Sequence, residues 1–405
     1  MNGLLQDLRI VELSAFVAAP LGGMTMAQMG ADVIRIDPIG GGIDHARWPV
    51  TQDGASLYWA GLNKAKRSLA LALDKPEGRE IARAVATAPG AGCGIVLTNL
   101  PPLRGLDFAT LKEARADLIM LRLFGNRDGS AAVDYTVNAA SGFPLVTGLG
   151  NSPVNHVLPA WDIAAGLYLA TALVAAERHR TRTGHGQEVV AALADVMLAT
   201  LGNLGYIADV QINGTARPAI GNDLYGSFGR DFGTADGRRV MIIALTRRQW
   251  RAIGEATGLG ERLAMIGPMM DVDLDTEAGR YEARDAIAAL LSRWCATRTL
   301  EEIRQAFTGT GVLWGHFQDF LQLVQSDPRC SDANPLFAMV DQPGIGRYLM
   351  PGLPLDFSDD PRRPPQPAPR LGEHTDLVLS EVLGLSSAEI GRLHAQRIVA
   401  GPHPR

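Results

Sequence analysis

Between residues 8 and 38 the chain reads LRIVEL, then SAFVAAPLGGMTMAQMG, then ADVIRIDP. Two short apolar runs, fit for buried strands, flank a stretch of helical length that closes at Gly30, and Pro38 stops the second run. A strand, a helix and a strand in so compact a unit imply a crossover between parallel strands. The alternation continues with RSLALAL (67–73) as a strand, KPEGREIARAVATA (75–88) as a helix with proline near its start, and GIVLTNL (94–100) and LIMLRLFG (118–125) as strands. The first 150 residues therefore predict an α/β layer fold, Rossmann-like, with a parallel sheet.

Farther along, a helix is expected from Asp162 to about Arg182, stopped by the glycines of TGHGQ. EVVAALADVMLATLGNLGYIADV follows, strand-like and then helical. Past Gly214 the texture changes to scattered glycines, then RRVMIIAL as a strand and amphipathic stretches near 247–307. The organisation expected is a large domain over 1–215, a smaller α+β domain over 216–325, and a C-terminal segment, 326–405, returning to the large domain. In that segment DDPRRPPQPAPRLGEHTD is too stiff and polar for a core, so it should wrap the surface before a last helix from about Ser386.

Composition narrows the function classes. A chain of 405 residues with 46% hydrophobic and 20% charged residues is globular, and a net charge of -5 with both signs interspersed leaves no electrostatic footprint for nucleic acid. Cys93, Cys295 and Cys330 are odd in number and widely spaced, which argues against a disulfide framework or a zinc site and for a reducing cytoplasm. No leader pattern precedes the first strand, and the longest uncharged apolar stretch, Ile163 to Ala176, is shorter than the roughly 20 residues a bilayer span requires. No membrane partner is expected.

Most motifs argue by elimination. Asp37 closing the second strand invites a ribose contact, but SAFVAAPLGG lacks the G-x-G-x-x-G turn and carries Pro20 instead, so nicotinamide chemistry is disfavoured. The histidines show no metal-binding pairing, His179 and His185 sit among arginines near a helix end, and no serine lies in a G-x-S-x-G elbow. No metal and no serine triad are expected. NKAKRS (63–68) is either a solvated charge run or a phosphate clamp, and LTNLPPLRG (97–105) places Asn99 and Arg104 at the carboxyl end of a strand, where α/β sheets put ligands. Asp162 heads an otherwise apolar run, and is either a helix cap or a nucleophile.

Six blocks in order, LLQDLRIVEL (4–13), AAPLGGMTMAQMGADVIRID (18–37), NKAKRS (63–68), DYTVNAASGFPLVTG (134–148), WDIAAGLYLATALVAAERHRTRTGHGQ (161–187) and RLGEHTD (370–376), resemble the class III (formyl-CoA/carnitine) CoA-transferase family. SAFVAAPLGGMT, DPIGGG, RWPVT, NHVLPAWD, LYGSFGRDF, NPLFAMV, QPGIG and LMPGLPLDF resemble more narrowly the branch acting on mesaconyl-CoA, which moves CoA between the two carboxyls of one dicarboxylate.

The resemblance implies that Asp162 attacks an acyl-CoA thioester, passing through a mixed anhydride and an aspartyl-CoA thioester, with the helix N-terminus keeping its carboxylate ionised. It implies that Tyr135 orients the substrate or stabilises an oxyanion, that Phe16, Val17, Ala18, Asn99, Leu100 and Arg104 line the CoA site, and that Lys64, Lys66 or Arg67 touch phosphates. Pro38 stands where one branch has a nucleotide-contacting arginine, and Val133 where the related racemases have a proton-transferring histidine, so racemisation is disfavoured. Val17 replaces a glutamine of the intermolecular formyl-CoA enzymes. The implied assembly is an interlocked homodimer, with no cofactor beyond the CoA borne by the substrate. A role in carbon fixation or C5-dicarboxylate assimilation follows from the resemblance alone. A transferase acting between two separate acids, and a binding module in which Asp162 is dispensable, are the alternatives.

Overall fold

The computed structural model describes residues 3–148, 150 and 152–402. The chain divides into two compact units, the first formed by 1–141, 156–213 and 328–405 and the second by 142–155 and 214–327.

The first unit begins with the foreseen alternation. It runs β1 (Arg9–Leu13), α1 (Ala18–Gln28), β2 (Asp32–Pro38), α2 (Leu57–Leu62), β3 (Arg67–Leu71), α3 (Pro76–Ala86), β4 (Ile95–Thr98), α4 (Phe108–Ala114), β5 (Ile119–Phe124) and α5 (Asp134–Ala140). After α6 (Phe143–Thr147), which belongs to the second unit, come α7 (Ala160–Thr183), β6 (Glu188–Ala192), α8 (Leu193–Asn203) and α9 (Tyr206–Asn213). Strands β1 to β6 are parallel, in the order β3-β2-β1-β4-β5-β6, which confirms the parallel α/β expectation. Ile34, Ile36, Leu69, Leu71, Val96 and Met120 fill the core beneath α3, buried because helices cover the sheet.

The second unit holds an antiparallel sheet of β7 (Phe228–Gly233), β8 (Arg239–Ala244) and β9 (Leu313–His316), in that order. Around it lie α10 (Arg247–Thr257), α11 (Gly260–Met270), α12 (Glu277–Glu282), α13 (Arg284–Ala296), α14 (Leu300–Phe307) and α15 (Phe320–Ser326). Its own core gathers Phe228, Ile242, Trp250, Ile253, Leu291 and Phe307.

The remaining chain, in the first unit, forms a hairpin of β10 (Phe337–Gln342) and β11 (Gly346–Pro351), then α16 (Thr375–Leu383), α17 (Ser387–Ala395) and β12 (Val399–Ala400). Strand β12 pairs antiparallel with β3 and adds a seventh, edge strand to the parallel sheet, a closure the sequence pattern did not announce.

Two glycines set the position that matters for chemistry. Helices α1 and α7 cross at backbone contact. A Cβ at Gly166 would lie 2.6 Å from the Ala18 carbonyl oxygen, and one at Gly22 would lie 3.1 Å from the Gly166 carbonyl oxygen. The second turn of α7 is thereby drawn against the start of α1. With its charges near its ends, α7 is long and apolar enough to cross a membrane by length and composition, a test that counting the uncharged run alone does not pass.

Candidate active site

The strand order reverses between β1 and β4, and at such a switch point the loops beyond the carboxyl ends part to leave a crevice. Asn99, just past β4, ties the two loops together: its Oδ1 accepts from the Ala15 amide at 2.9 Å and its Nδ2 donates to the Ala15 carbonyl at 2.8 Å. Phe16 follows with φ +65°, a left-handed conformation that a bulky side chain rarely adopts. The Phe16 amide donates to Asp44 Oδ2 at 3.1 Å, which helps hold it there. Val17 and Ala18 are buried, while Leu100 is half-buried beside Asn99. The structure thus brings Phe16, Val17, Ala18, Asn99 and Leu100 to one place.

Beneath that loop lies a buried ionic network. Arg35 Nε donates to both oxygens of Asp37, its Nη2 reaches Asp44 and the Ser14 carbonyl, and its Nη1 reaches Asn63 Oδ1. Lys66 Nζ donates to Glu12 Oε1 at 2.7 Å, to Asn63 Oδ1 at 2.8 Å and to the Pro20 carbonyl at 2.9 Å. These groups are excluded from solvent.

That geometry agrees with the disfavoured ribose contact and corrects one expectation. Asp37 holds no ribose, because both its oxygens face Arg35 inside the fold. The cations of NKAKRS form no phosphate clamp. Lys66 is enclosed on Glu12, Lys64 Nζ donates to the Pro351 carbonyl at 2.6 Å, and Arg67 pairs with Asp32 and Glu381. Burial lowers both lysines to a pKa of about 8, Lys66 against the pull of Glu12. Arg104 is exposed on the loop after β4 and shares an open concavity with Arg79, Glu80 and Arg83 of α3, where Arg83 pairs with Glu80 and Arg79 donates to the Leu73 and Asp74 carbonyls.

Asp162 lies in the first turn of α7, yet it does not cap the helix. Asp134, in the first turn of α5, does: its Oδ2 accepts from the amides of Trp161 at 2.7 Å and Asp162 at 3.1 Å. The Trp161 indole donates to Asn138 Oδ1 at 3.1 Å and fixes α5 to α7. The helix-end amides are therefore occupied by another acid, and among the described residues no group donates to the Asp162 carboxylate.

Burial pushes Asp162 up to a pKa of about 6, the charge of Asp134 adds to the rise, and Arg47 opposes it. This corrects the expectation that the helix end holds Asp162 low. The carboxyl is poised just below neutrality, ionised above pH 6 but held by little, as an attacking oxygen needs.

Tyr135 directly follows Asp134, stands half-exposed at 42%, and donates to the Val157 carbonyl at 3.3 Å. Val133, which precedes the pair, is exposed and has nothing with which to move a proton. Tyr58 and Arg47 complete the group and were missed by sequence reasoning. Burial raises the Tyr58 phenol, Arg47 lowers it, and Asp162, Tyr135 and Asp44 raise it further, so one field joins all five. Among the described residues no group of three or more His, Cys, Asp or Glu side chains could hold a metal ion.

Comparison with known proteins gives the family. The chain is 57% identical to the 2-methylfumaryl-CoA isomerase of Chloroflexus aurantiacus, over 99% of both chains. It is 26% identical to the succinyl-CoA–D-citramalate CoA-transferase of the same organism, over 98% of both. A solved CaiB/BaiF family protein from Brucella suis superposes with a TM-score of 0.76 at 25% identity, over 94% of this chain and 100% of that one. Residues 5–375 match the description of CoA-transferase family III. A family match over residues 5–375 and a relative 57% identical throughout show that this chain belongs to CoA-transferase family III.

Proposed function

We propose that the protein is an intramolecular CoA transferase that moves CoA between the C1 and C4 carboxyls of mesaconate, interconverting 2-methylfumaryl-CoA and 3-methylfumaryl-CoA. The observation that carries this reading is the Asp162 carboxyl, pushed up to a pKa of about 6 by burial and accepting no hydrogen bond among the described residues, in a chain 57% identical throughout to a 2-methylfumaryl-CoA isomerase.

The steps balance without a net proton or electron. An Asp162 oxygen attacks the C1 thioester carbonyl, the C–S bond breaks, and the thiolate leaves with its electron pair, giving a mixed anhydride. The thiolate attacks the Asp162 carbonyl of that anhydride and expels the C1 carboxylate, leaving an aspartyl-CoA thioester and a free dicarboxylate. The acid turns, and its C4 carboxylate attacks the aspartyl thioester and displaces the thiolate. Attack of thiolate on the C4 carbonyl then returns Asp162 as a carboxylate. Confinement of the freed acid makes the second half effectively unimolecular, an advantage that reaches roughly 7–11 kcal/mol in well-oriented cases.

Phe16, Val17 and Ala18, with Asn99 and Leu100, shape the crevice for CoA, and the exposed Arg104 replaces the lysines as the phosphate contact. Tyr135 orients the acyl group beside Asp162. No cofactor beyond the substrate's own CoA is required. The apolar residues left exposed on α7, α8 and α9, among them Leu167, Tyr168, Val174, Leu198, Val210 and Ile212, favour a homodimer in which a second copy, and no lipid, covers them. Three free cysteines suit a reducing cytoplasm, and the reaction suits C5-dicarboxylate assimilation or carbon fixation.

The test is incubation with mesaconyl-CoA esterified at C1 in the presence of isotopically labelled free mesaconate. Appearance of the C4 thioester without label is the expected result. Label in the product would make the enzyme an intermolecular transferase.

A further inference from the structure

The cations around the switch point are nearly all engaged. Arg35 holds Asp37 and Asp44, Lys66 holds Glu12, Lys64 holds a carbonyl, and Arg67 holds Asp32. Arg47 differs. Its guanidinium makes no ion pair and no side-chain hydrogen bond among the described residues, and lies instead over two aromatic rings, 5.1 Å from the centroid of Phe16 and 5.1 Å from that of Tyr58.

Its main chain is fixed on both sides. The Arg47 amide donates to the Asp44 carbonyl at 3.1 Å, and the Arg47 carbonyl accepts from Ser56 Oγ at 2.5 Å. Aromatic faces hold a guanidinium by its plane and leave its N–H edge open, and that edge is a fork matched to a carboxylate. Half-buried and pre-oriented, Arg47 shares its field with Asp162 and Tyr135 through Tyr58. A held cation with no ion pair among the described residues, in the electrostatic field of a nucleophilic carboxylate, calls for a second anion, which a dicarboxylyl thioester brings at its far end.

We propose that Arg47 is a specificity-determining residue whose guanidinium binds the free carboxylate of a dicarboxylyl-CoA, selecting CoA monothioesters of short dicarboxylic acids over those of monocarboxylic acids. The inference rests on the reaction proposed for Asp162. At the midpoint, when both carboxylates of the acid are free, Arg47 retains one while the other faces the aspartyl thioester. Exchange of the two on Arg47 is what turns a C1 ester into a C4 ester.

The test compares mesaconyl-C1-CoA with 2-methylcrotonyl-CoA, which has a methyl group in place of the free carboxylate. The readout is the rate at which each deposits CoA on Asp162, followed by mass spectrometry of the quenched protein, in the full-length wild type and in Arg47→Gln and Arg47→Lys. Wild type should prefer the dicarboxylyl ester by about 10²–10³-fold, the range expected for a desolvated charge pair. In Arg47→Gln the preference should fall to within about threefold, through loss on mesaconyl-C1-CoA alone, and Arg47→Lys should lie between.

A wild-type preference near unity would overturn the inference without any variant. So would an equal fall on both substrates in Arg47→Gln, which would make Arg47 a packing residue for Phe16 and Tyr58. CoA that is deposited with Arg47-dependent selectivity but never reaches C4 would sink the intramolecular reading and leave this one standing. Migration without selectivity would do the reverse.

Discussion

Two groups of acids in the first unit are treated in opposite ways. Under the β1 loop, Asp37 and Asp44 share Arg35 and Glu12 meets Lys66, each at hydrogen-bond distance and closed off from water. At the mouth of α7, Asp134 faces backbone amides while Asp162 has no donor among the described residues and sits in the field of its neighbour acid. Pairing fixes the first group as structure. Leaving Asp162 without a donor makes it reactive, and the paired group supports it by holding Phe16 and the loop that leads into α1, which packs on α7.

The sharpest way to break this contrast is to remove the charge from each side in turn. Asp162→Asn should lose turnover by at least about 10⁴-fold, as removal of a covalent nucleophile does, while remaining folded. Its stability should rise. A carboxyl whose folded pKa is raised contributes stability that is fully present below the unfolded value near 4 and is lost as pH climbs through about 6, so the ionised group works against the fold at neutrality. Thermal denaturation at pH 7.5 should show a gain of about 1–2 kcal/mol, reduced from the full shift because the group is partly solvated.

Lys66→Met should behave oppositely, destabilising by about 2–4 kcal/mol because buried Glu12 loses its closest cation and keeps only Ser14 at 2.7 Å and the Arg35 guanidinium at 3.7 Å, with activity falling only as the fold is lost. Chemical denaturation measures the first and kcat on the folded fraction the second. Gly23→Ala belongs with it, since a methyl group there would overlap Glu12 Oε2, and should cost about 1–3 kcal/mol.

The pH profile sharpens the comparison further. kcat/KM should fall with acidity along a limb near pH 6, where Asp162 takes up its proton. Asp134→Asn keeps an oxygen to accept from Trp161 and Asp162 but removes the charge that raises Asp162, so the limb should move to lower pH. Tyr135→Phe should have the smallest effect. It removes one bond of 3.3 Å to a carbonyl and should lower kcat by about tenfold or less without changing the melting temperature measurably.

The parallel sheet was legible because buried strands write continuous apolar runs and Gly30 and Pro38 punctuate them. Strand β12 was not, because two residues joined by a ladder to β3 carry no period of their own. The ionic network was half-written: Arg35 and Asp37 alternate with Ile34 and Ile36 in a strand covered on both faces, and charges in such a place must be paired inside. Their partners, however, are set by tertiary contact, and Lys66 meets Glu12 across 54 positions, so NKAKRS read as solvent-facing charge. Asp162 was found by resemblance, yet its cap was misread, since only the fold brings Asp134 to the end of α7. Arg47 left no local signal beyond an arginine in RWPVT, because its partners Phe16 and Tyr58 lie on separate loops and helices.

The central claim, that Asp162 is the covalent carrier, makes a demand on oxygen atoms. In each passage Asp162 gives one oxygen to the C1 carboxylate and receives one from the C4 carboxylate. A single turnover of mesaconyl-C1-CoA carrying ¹⁸O in its free carboxylate, followed by peptide mass spectrometry, should place ¹⁸O in the peptide containing Asp162. Product formed at C4 with all the ¹⁸O still in the substrate carbons, and an unlabelled Asp162 peptide, would contradict the account.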